Sequence, residues 1–566
     1  MSSKKIIPLI FLCVAVLNIE IVVCHVIMRS VSSVSAITYI VGAVYLWVGL
    51  CPSSSTKRLP QIQWYKEIRI LLPLLCVTIL TLFYFSSFPV HYHQDEFITA
   101  YTSWTLPATG KLDWFAVYPE VWVSRFPVIF HILQKPWFLV FGPTVTAVRI
   151  SVLPYALGIV ICLYVLSRMV GSRIFAILSC LCFIFFAPHL YLESMGLHFI
   201  SSSFFFLTSI VTCVIFLNTR DERYLFTCAI GSVLAYLTYT SSYVTLPIII
   251  CLFIATVLKR KDATLLRSYL KYFILFMALM LPFLVYAMRV NNFFLERINQ
   301  VSVFWGTWSN SAKMHENVLS TVFQQTITAL KSLILPYVGG IGGYHFGGLA
   351  LLDPITAIGF CIGIVGLFVN ALIKHNIISF SILLAFLLPF IIGFILTTHP
   401  PPFHRISLLY PLMAIITAYG FWQIASIFKN KRKYLIIGIL LCAFIFLNWI
   451  RTTEMIRIDE NMYPQNSRAI GEYLVKHFPA HTEISIAAYP SFYLPQELLF
   501  RTNNRFIIHT DTTEKILPDY NGNRPLILLT PSPQTITFLK QQFPSGRLYT
   551  SLGNVSLGDL PLWLPK

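Results

Sequence analysis

Apolar runs long enough to cross a bilayer recur along most of this chain, and they constrain its fold more than any other feature. They begin near Ile6, Val34, Ile68, Thr146, Ile174, His198, Leu225, Tyr243, Leu270, Leu349, Ile377, Ile406 and Tyr434. Each continues for roughly 17 to 25 residues, the length a helix needs to span the hydrocarbon core. Without water to hydrogen-bond a bare backbone, such runs must be helical. The sequence therefore predicts an all-α polytopic membrane protein of about 13 transmembrane helices. Composition agrees: 11% of the 566 residues are charged, against about 25% in a soluble domain.

The net charge of +18 does not imply a nucleic-acid partner, because the cations sit in the short connections between apolar runs. They are Lys4-Lys5, Lys57-Arg58, Arg168 and Arg173, Arg220 and Arg223, Lys259 to Lys261, and Lys429 to Lys433. Every second connection is basic, which predicts that these connections and the N-terminus face the cytoplasm of a plasma (inner) membrane. An odd number of spans then leaves the C-terminus outside. The run from Ile6 to Met28 contains Glu20 and no clear small-residue cleavage site, so it is expected to remain as an anchor. All 12 Cys lie at or before Cys442, nearly all in apolar runs, which reads as core filler and leaves the polar tail without a disulfide framework.

Three parts follow. Residues 1-67 hold two additional N-terminal spans, 68-450 a membrane region with external loops 91-145 and 289-348, and 451-566 a tail of ordinary soluble composition. In the first loop Phe97, Tyr101 and Trp104 share one helical face ended by Pro107, and Phe126 to Phe141, with Lys135 and Trp137, reads as a helix lying in the membrane interface. Val318 to Leu335 reads the same way. The Gly-rich stretch 339-348 lacks the Gly-Lys-Ser/Thr ending of a phosphate loop and reads as a mobile loop. In the tail, helices over Ser467–Phe478 and Gln534–Phe543 alternate with strands over Glu483–Ala488, Pro525–Leu529 and Arg547–Leu552, a small C-terminal extracytoplasmic α/β domain read as scaffold or docking module.

The chemistry concentrates in His91-Tyr92-His93-Gln94-Asp95-Glu96, directly after an apolar run. Carboxylates at a membrane boundary are costly to desolvate and face water where they are used. Asp95 or Glu96 can accept a proton from an acceptor hydroxyl; each can equally sit at a helix start on the dipole. His91, His93 and Asp95 alternate along an extended strand, a spacing that suits a divalent metal, and His189 and Glu193 at i, i+4 are either ligands or a simple helix pair. Arg125, in Ser124-Arg125-Phe126-Pro127, either anchors to lipid headgroups or binds a phosphate at the membrane surface. His404-Arg405, in an external turn, offers a second cation, and Tyr344 and His345 in the Gly-rich loop are further candidates for substrate contact.

The order of these features resembles the GT-C glycosyltransferases, specifically the family of protein mannosyltransferases and lipid A aminoarabinose transferases. The resemblance rests on the Asp95-Glu96 pair, Arg125-Phe126-Pro127, Phe141-Gly142-Pro143, Val148-Arg149-Ile150-Ser151, Ala187-Pro188-His189-Leu190-Tyr191, Leu237-Thr238-Tyr239-Thr240 and His404-Arg405, and covers roughly Ile68 to Ile450. It implies a first-loop acid that acts as base or positions the acceptor, here Asp95. It also implies a cation that holds the phosphate of a polyprenyl-phosphate sugar donor, here Arg125, and an extracytoplasmic acceptor on a cell-envelope glycan, lipid or protein. The chain departs in carrying two spans before the usual first one and Arg-Phe-Pro where Lys-Pro-Pro is common. A transporter or lipid flippase is the rival class, but related halves and midplane charges, its usual marks, are absent from the pattern.

Overall fold

The computed structural model describes the chain except residues 1–2, 29–32, 51–63, 88–93, 107–116, 119–125, 128, 263, 290–297, 305–317, 337–348, 398–402, 463–465, 488–493, 512–515, 517–519, 521–522, 529–530, 553–554, 557–561 and 565–566. His91, His93, Arg125, Tyr344 and His345 lie outside the described residues.

From the N-terminus the helices are α1 (Ser3–Ile27), α2 (Ser33–Leu50), α3 (Trp64–Ser86), α4 (Gln94–Thr105), α5 (Ile129–Phe141), α6 (Val145–Ile150), α7 (Leu153–Val170), α8 (Arg173–Ile184), α9 (Ala187–Glu193) and α10 (His198–Thr219). They continue with α11 (Glu222–Tyr236), α12 (Thr245–Arg260), α13 (Thr264–Arg289), α14 (Val318–Ile334), α15 (Pro354–Leu372), α16 (Ile377–Pro389), α17 (Tyr410–Ser426) and α18 (Lys431–Met462). Every expected apolar run falls on a helix. Among the described residues nine helices are long and apolar enough to cross a membrane, ten if α8 and α9 count as one span bent by 57°. The bend follows from Pro188 in the first turn of α9, which cannot continue the hydrogen-bond ladder of α8. The run beginning near Leu225 is the 15-residue α11, shorter than the bilayer core.

The middle of the bundle is α10 and the segment Phe403–Ser426, in whose most apolar stretches 89% and 83% of the residues are buried. Outer helices expose Leu, Ile, Val and Phe, as expected where lipid is the solvent. Small residues bring α15 against α17: a Cβ on Gly363 would lie 1.8 Å from Ile416 O, and one on Gly420 1.8 Å from Gly359 O. Dispersion between backbones at that distance replaces the hydrophobic drive that lipid does not supply.

The C-terminal part adds α19 (Asn466–His477), α20 (Leu494–Arg501) and α21 (Pro533–Gln542) around a five-stranded sheet. With β1 (Val117–Tyr118) and β2 (Phe126–Pro127) in the first loop, its strands are β3 (Glu483–Ala487), β4 (Ile507–Asp511), β5 (Leu526–Leu528), β6 (Arg547–Tyr549) and β9 (Leu562–Leu564), in the order β4-β3-β5-β9-β6; β7 (Ser551–Leu552) and β8 (Val555–Ser556) form a separate hairpin. The strand period of two divides the apolar residues. Ile484, Ile486 and Ile527 meet Ile470, Leu474 and Leu498 of α19 and α20, while Ala487, Leu526 and Leu528 meet Leu539 of α21.

Two expectations in the first loop are corrected. The helix expected from Phe126 starts at Ile129, because Phe126–Pro127 pairs antiparallel with Val117–Tyr118, so Arg125 precedes a strand and not a helix. Lys135, expected on a helix lying in the membrane interface, turns toward α4: its Nζ donates to Trp104 O at 3.1 Å and to Leu106 O, closing the C-terminus of α4.

Candidate functional site

α4 carries the acidic pair in its first turn, where the helix dipole favours negative charge. Its two acids have different environments. Asp95 is partly exposed, whereas Glu96 is fully buried. Glu96 Oε1 accepts from Arg149 Nε at 3.2 Å and from the backbone N–H of Gly196 at 3.0 Å. Glu96 Oε2 is also buried and has no hydrogen-bond partner among the described residues. Arg149, buried in α6, extends the link to the end of α3 by donating from NH1 to Ser86 O at 2.7 Å. One guanidinium thus joins three elements. Gly196 has to be glycine: a Cβ there would lie 2.2 Å from Val148 Cγ1 and 2.5 Å from Val148 O.

A second buried network lies along the same helix. Gln134 of α5 donates from Nε2 to Gly196 O and Ser151 Oγ, both at 3.0 Å, and its Oε1 accepts from Ser103 Oγ at 2.6 Å. His131 Nδ1 lies 2.8 Å from the same hydroxyl, and burial pushes the His131 imidazole down to about 4, so it is neutral near pH 7. Gly196 is therefore held from both sides, its N–H by Glu96 and its C=O by Gln134.

Two residues beyond Gly196, α10 begins with His198 and Phe199, and here the His404–Arg405 turn arrives. The His404 ring is centred 5.0 Å from Phe199, and His198 packs on Tyr239 at 4.8 Å and Phe130 at 5.8 Å. His404 and Arg405 are both buried, so the turn is packed into the bundle top and not displayed on its surface. His189 Nε2 lies 2.9 Å from Glu193 Oε2, both side chains are buried, and the His189 ring stacks on Phe183 at 3.8 Å. Among the described residues no three His, Cys, Asp or Glu side chains gather at one point.

The far face of α4 receives the C-terminal part. Phe500 of α20, 2% exposed, enters a ring of Phe97, Trp104 and Phe138 with centroid distances of 6.2, 6.0 and 6.0 Å. Arg501 lies over the Phe97 ring at 4.6 Å and pairs with Glu497 at 3.0 Å. Phe97 and Trp104, expected on one apolar helical face, are thus covered by an aromatic side chain from beyond residue 450. Residues that the sequence reading gave no role are Arg149, Gly196, His131, Gln134 and Phe500. Only Arg149 carried a usable signal, a cation just inside a span that begins at Val145.

This polytopic bundle, with an acid-bearing helix at one end, shares its fold with solved membrane proteins at low sequence identity. Its solved neighbours include ArnT from Cupriavidus metallidurans bound to undecaprenyl phosphate, at 11% identity and TM-score 0.58 over 88% of this chain and 98% of that one. The same protein in the apo state aligns at TM-score 0.55. The archaeal oligosaccharyltransferase AglB from Archaeoglobus fulgidus, in complex with an inhibitory peptide and a dolichol-phosphate, aligns at 12% identity and TM-score 0.50 over 89% of this chain and 75% of that one. No family model matches the sequence, and neither does any curated protein.

Proposed function

We propose that this protein is a membrane glycosyltransferase that moves one sugar from a polyprenyl-phosphate donor to an extracytoplasmic acceptor, a hydroxyl or amine of a cell-envelope glycan, lipid or protein. The observation that carries the reading is the division of labour in the first turn of α4. Glu96 is consumed by Arg149 and Gly196, while its neighbour Asp95 keeps partial access to solvent. A carboxylate so held on a fixed helix is suited to act as general base. The GT-C fold, with solved neighbours bound to undecaprenyl phosphate and to a dolichol-phosphate, supports the donor class.

Asp95 takes the proton from the acceptor oxygen or nitrogen as that atom attacks the anomeric carbon. The bond from that carbon to the phosphate oxygen breaks, and the lipid phosphate leaves with the electron pair. A single displacement inverts the anomeric centre. Arg125 and Arg405 are assigned to offset the growing charge on the phosphate, and Tyr344 and His345 to contact substrate. Glu96 and Arg149 are positioning residues. The N-terminus is cytoplasmic and the C-terminal α/β domain external, following the basic connections.

The test is to incubate the purified protein with a panel of polyprenyl-phosphate sugars and candidate acceptors and to measure free lipid phosphate. Release with any donor supports the reading; no release from the whole panel, with transport of intact lipid in vesicles, favours the flippase class instead. A parallel arm with a chelator tests the divalent cation suggested by His91 and His93.

A further inference from the structure

Where the C-terminal helices meet the elbow between α5 and α6, they border an open cleft of about 470 Å³. Pro143 and Val145 form the elbow side, and Arg468, Glu472 and Lys476 line one face of α19 opposite Arg501 of α20. Three cations thus face one acid. Arg468 spends part of its charge on Glu472 at 2.8 Å and Arg501 on Glu497 at 3.0 Å, which leaves the cleft net positive through Lys476. The elbow also fixes the level of the cleft relative to lipid, since an apolar span runs from Val145 to Val170. On the other side of the elbow α5 ends in Leu139, Val140 and Phe141, which are 71%, 74% and 45% exposed. A cationic cleft therefore sits at the start of a membrane span, beside an uncovered apolar strip.

We propose that this cleft binds the phosphate headgroup of an anionic lipid, with the acyl chains lying along Leu139, Val140 and Phe141. Cations at the membrane surface attract anionic headgroups, and the apolar strip adds the chain contacts that a soluble anion lacks. A lipid there would join α19 and α20 to the elbow that leads into Arg149. The site is independent of the transfer reaction proposed above, and so is its test.

The full-length protein is reconstituted in phosphatidylcholine nanodiscs containing a minor fraction of phosphatidylglycerol, and the lipids retained after delipidating washes are counted by mass spectrometry. Phosphatidylglycerol should be enriched over phosphatidylcholine in the unmodified protein. Arg468→Gln combined with Lys476→Gln should lower that enrichment by about fivefold per cation removed. Glu472→Gln should raise it by a similar factor, a gain that misfolding cannot imitate. Millimolar inorganic phosphate should leave the retained lipid in place. Equal enrichment in the unmodified protein and the double variant, a loss in Glu472→Gln, or displacement by inorganic phosphate would each overturn the proposal, the last by making the cleft a site for soluble anions.

Discussion

Glu67 and Glu96 are both fully buried carboxylates of this bundle, and they sit near opposite ends of α3, yet their surroundings differ. Glu67 uses both oxygens. Tyr164 donates to Oε2, Arg168 reaches Oε2 at 3.4 Å and Oε1 at 3.3 Å, and Arg173 reaches Oε1 at 3.0 Å. Glu96 places both of its bonds on Oε1 and leaves Oε2 without a partner among the described residues. A saturated buried acid is a structural tie. Glu96, held through one oxygen by a guanidinium and a backbone N–H, adjoins Asp95, the residue we assign as base. The comparison separates the end of the molecule that is only held together from the end where we assign the chemistry.

Removing cations from each end should break the symmetry most strongly. Arg149→Ala strands Glu96 in the interior and should cost about 3 to 5 kcal/mol. Arg173→Ala, by contrast, leaves Glu67 with Tyr164 and Arg168, and because the Arg173 side chain is 41% exposed it should cost about 1 kcal/mol or less. Thermal unfolding in detergent ranks the two; equal losses would mean that Glu96 has support beyond the bonds described.

Phe500→Ala empties the aromatic ring on the far face of α4 and should cost about 3 kcal/mol, the scale for a buried phenyl group. Hydrogen exchange over residues 94–105 is the informative readout. Faster exchange there, with β3 and β5 unchanged, would show that α20 steadies the acid-bearing helix; unchanged exchange would confine Phe500 to holding the C-terminal part in place.

His131 supplies a pH-dependent contrast between the ends. Its folded value near 4 lies below the ordinary 6.5, so between those values the unfolded chain binds a proton that the folded protein does not. Its contribution is present above about pH 6.5 and is lost as pH falls toward 4, amounting at most to about 3 kcal/mol. A stability profile from pH 7 to pH 4 should steepen in the unmodified protein and flatten in His131→Asn. A small effect, comparable to that of Arg173→Ala, is expected from Lys135→Met, which removes the cation closing α4 and should cost about 1 kcal/mol by the same thermal unfolding.

The apolar runs made the bundle readable, because each run is long enough to dictate a helix without help from its neighbours. Only part of the tail was readable, where Ile484 and Ile486 alternate with polar positions and Ser467 to Phe478 carries a helical stripe; β4, β9 and α20 gave no such pattern, and the strand expected over Arg547–Leu552 is broken between β6 and β7. The site was less so. Asp95 and Glu96 look alike in sequence, and only the arrival of Arg149, 53 residues away, distinguishes them. Gly196 is 100 residues from Glu96, and its importance comes from a contact with Val148 that no local pattern records. The partner of Lys135 is not legible in sequence, because a cation on an apolar helix reaches lipid headgroups or a neighbouring helix end equally well until the neighbour is located. Phe500 carried no signal, since one Phe in a short helix is usual in any α/β segment.

The most direct test sets Asp95→Asn beside Glu96→Gln in one transferase assay, with unfolding measured on the same preparations. Asp95→Asn should keep its melting temperature and lose turnover by about 100-fold or more, the scale for removing a positioned general base. Glu96→Gln should lose stability first, with turnover falling as α4 loosens. Near-normal turnover in a well-folded Asp95→Asn protein would contradict the division of roles between the two acids and return Asp95 to a plain helix-start carboxylate.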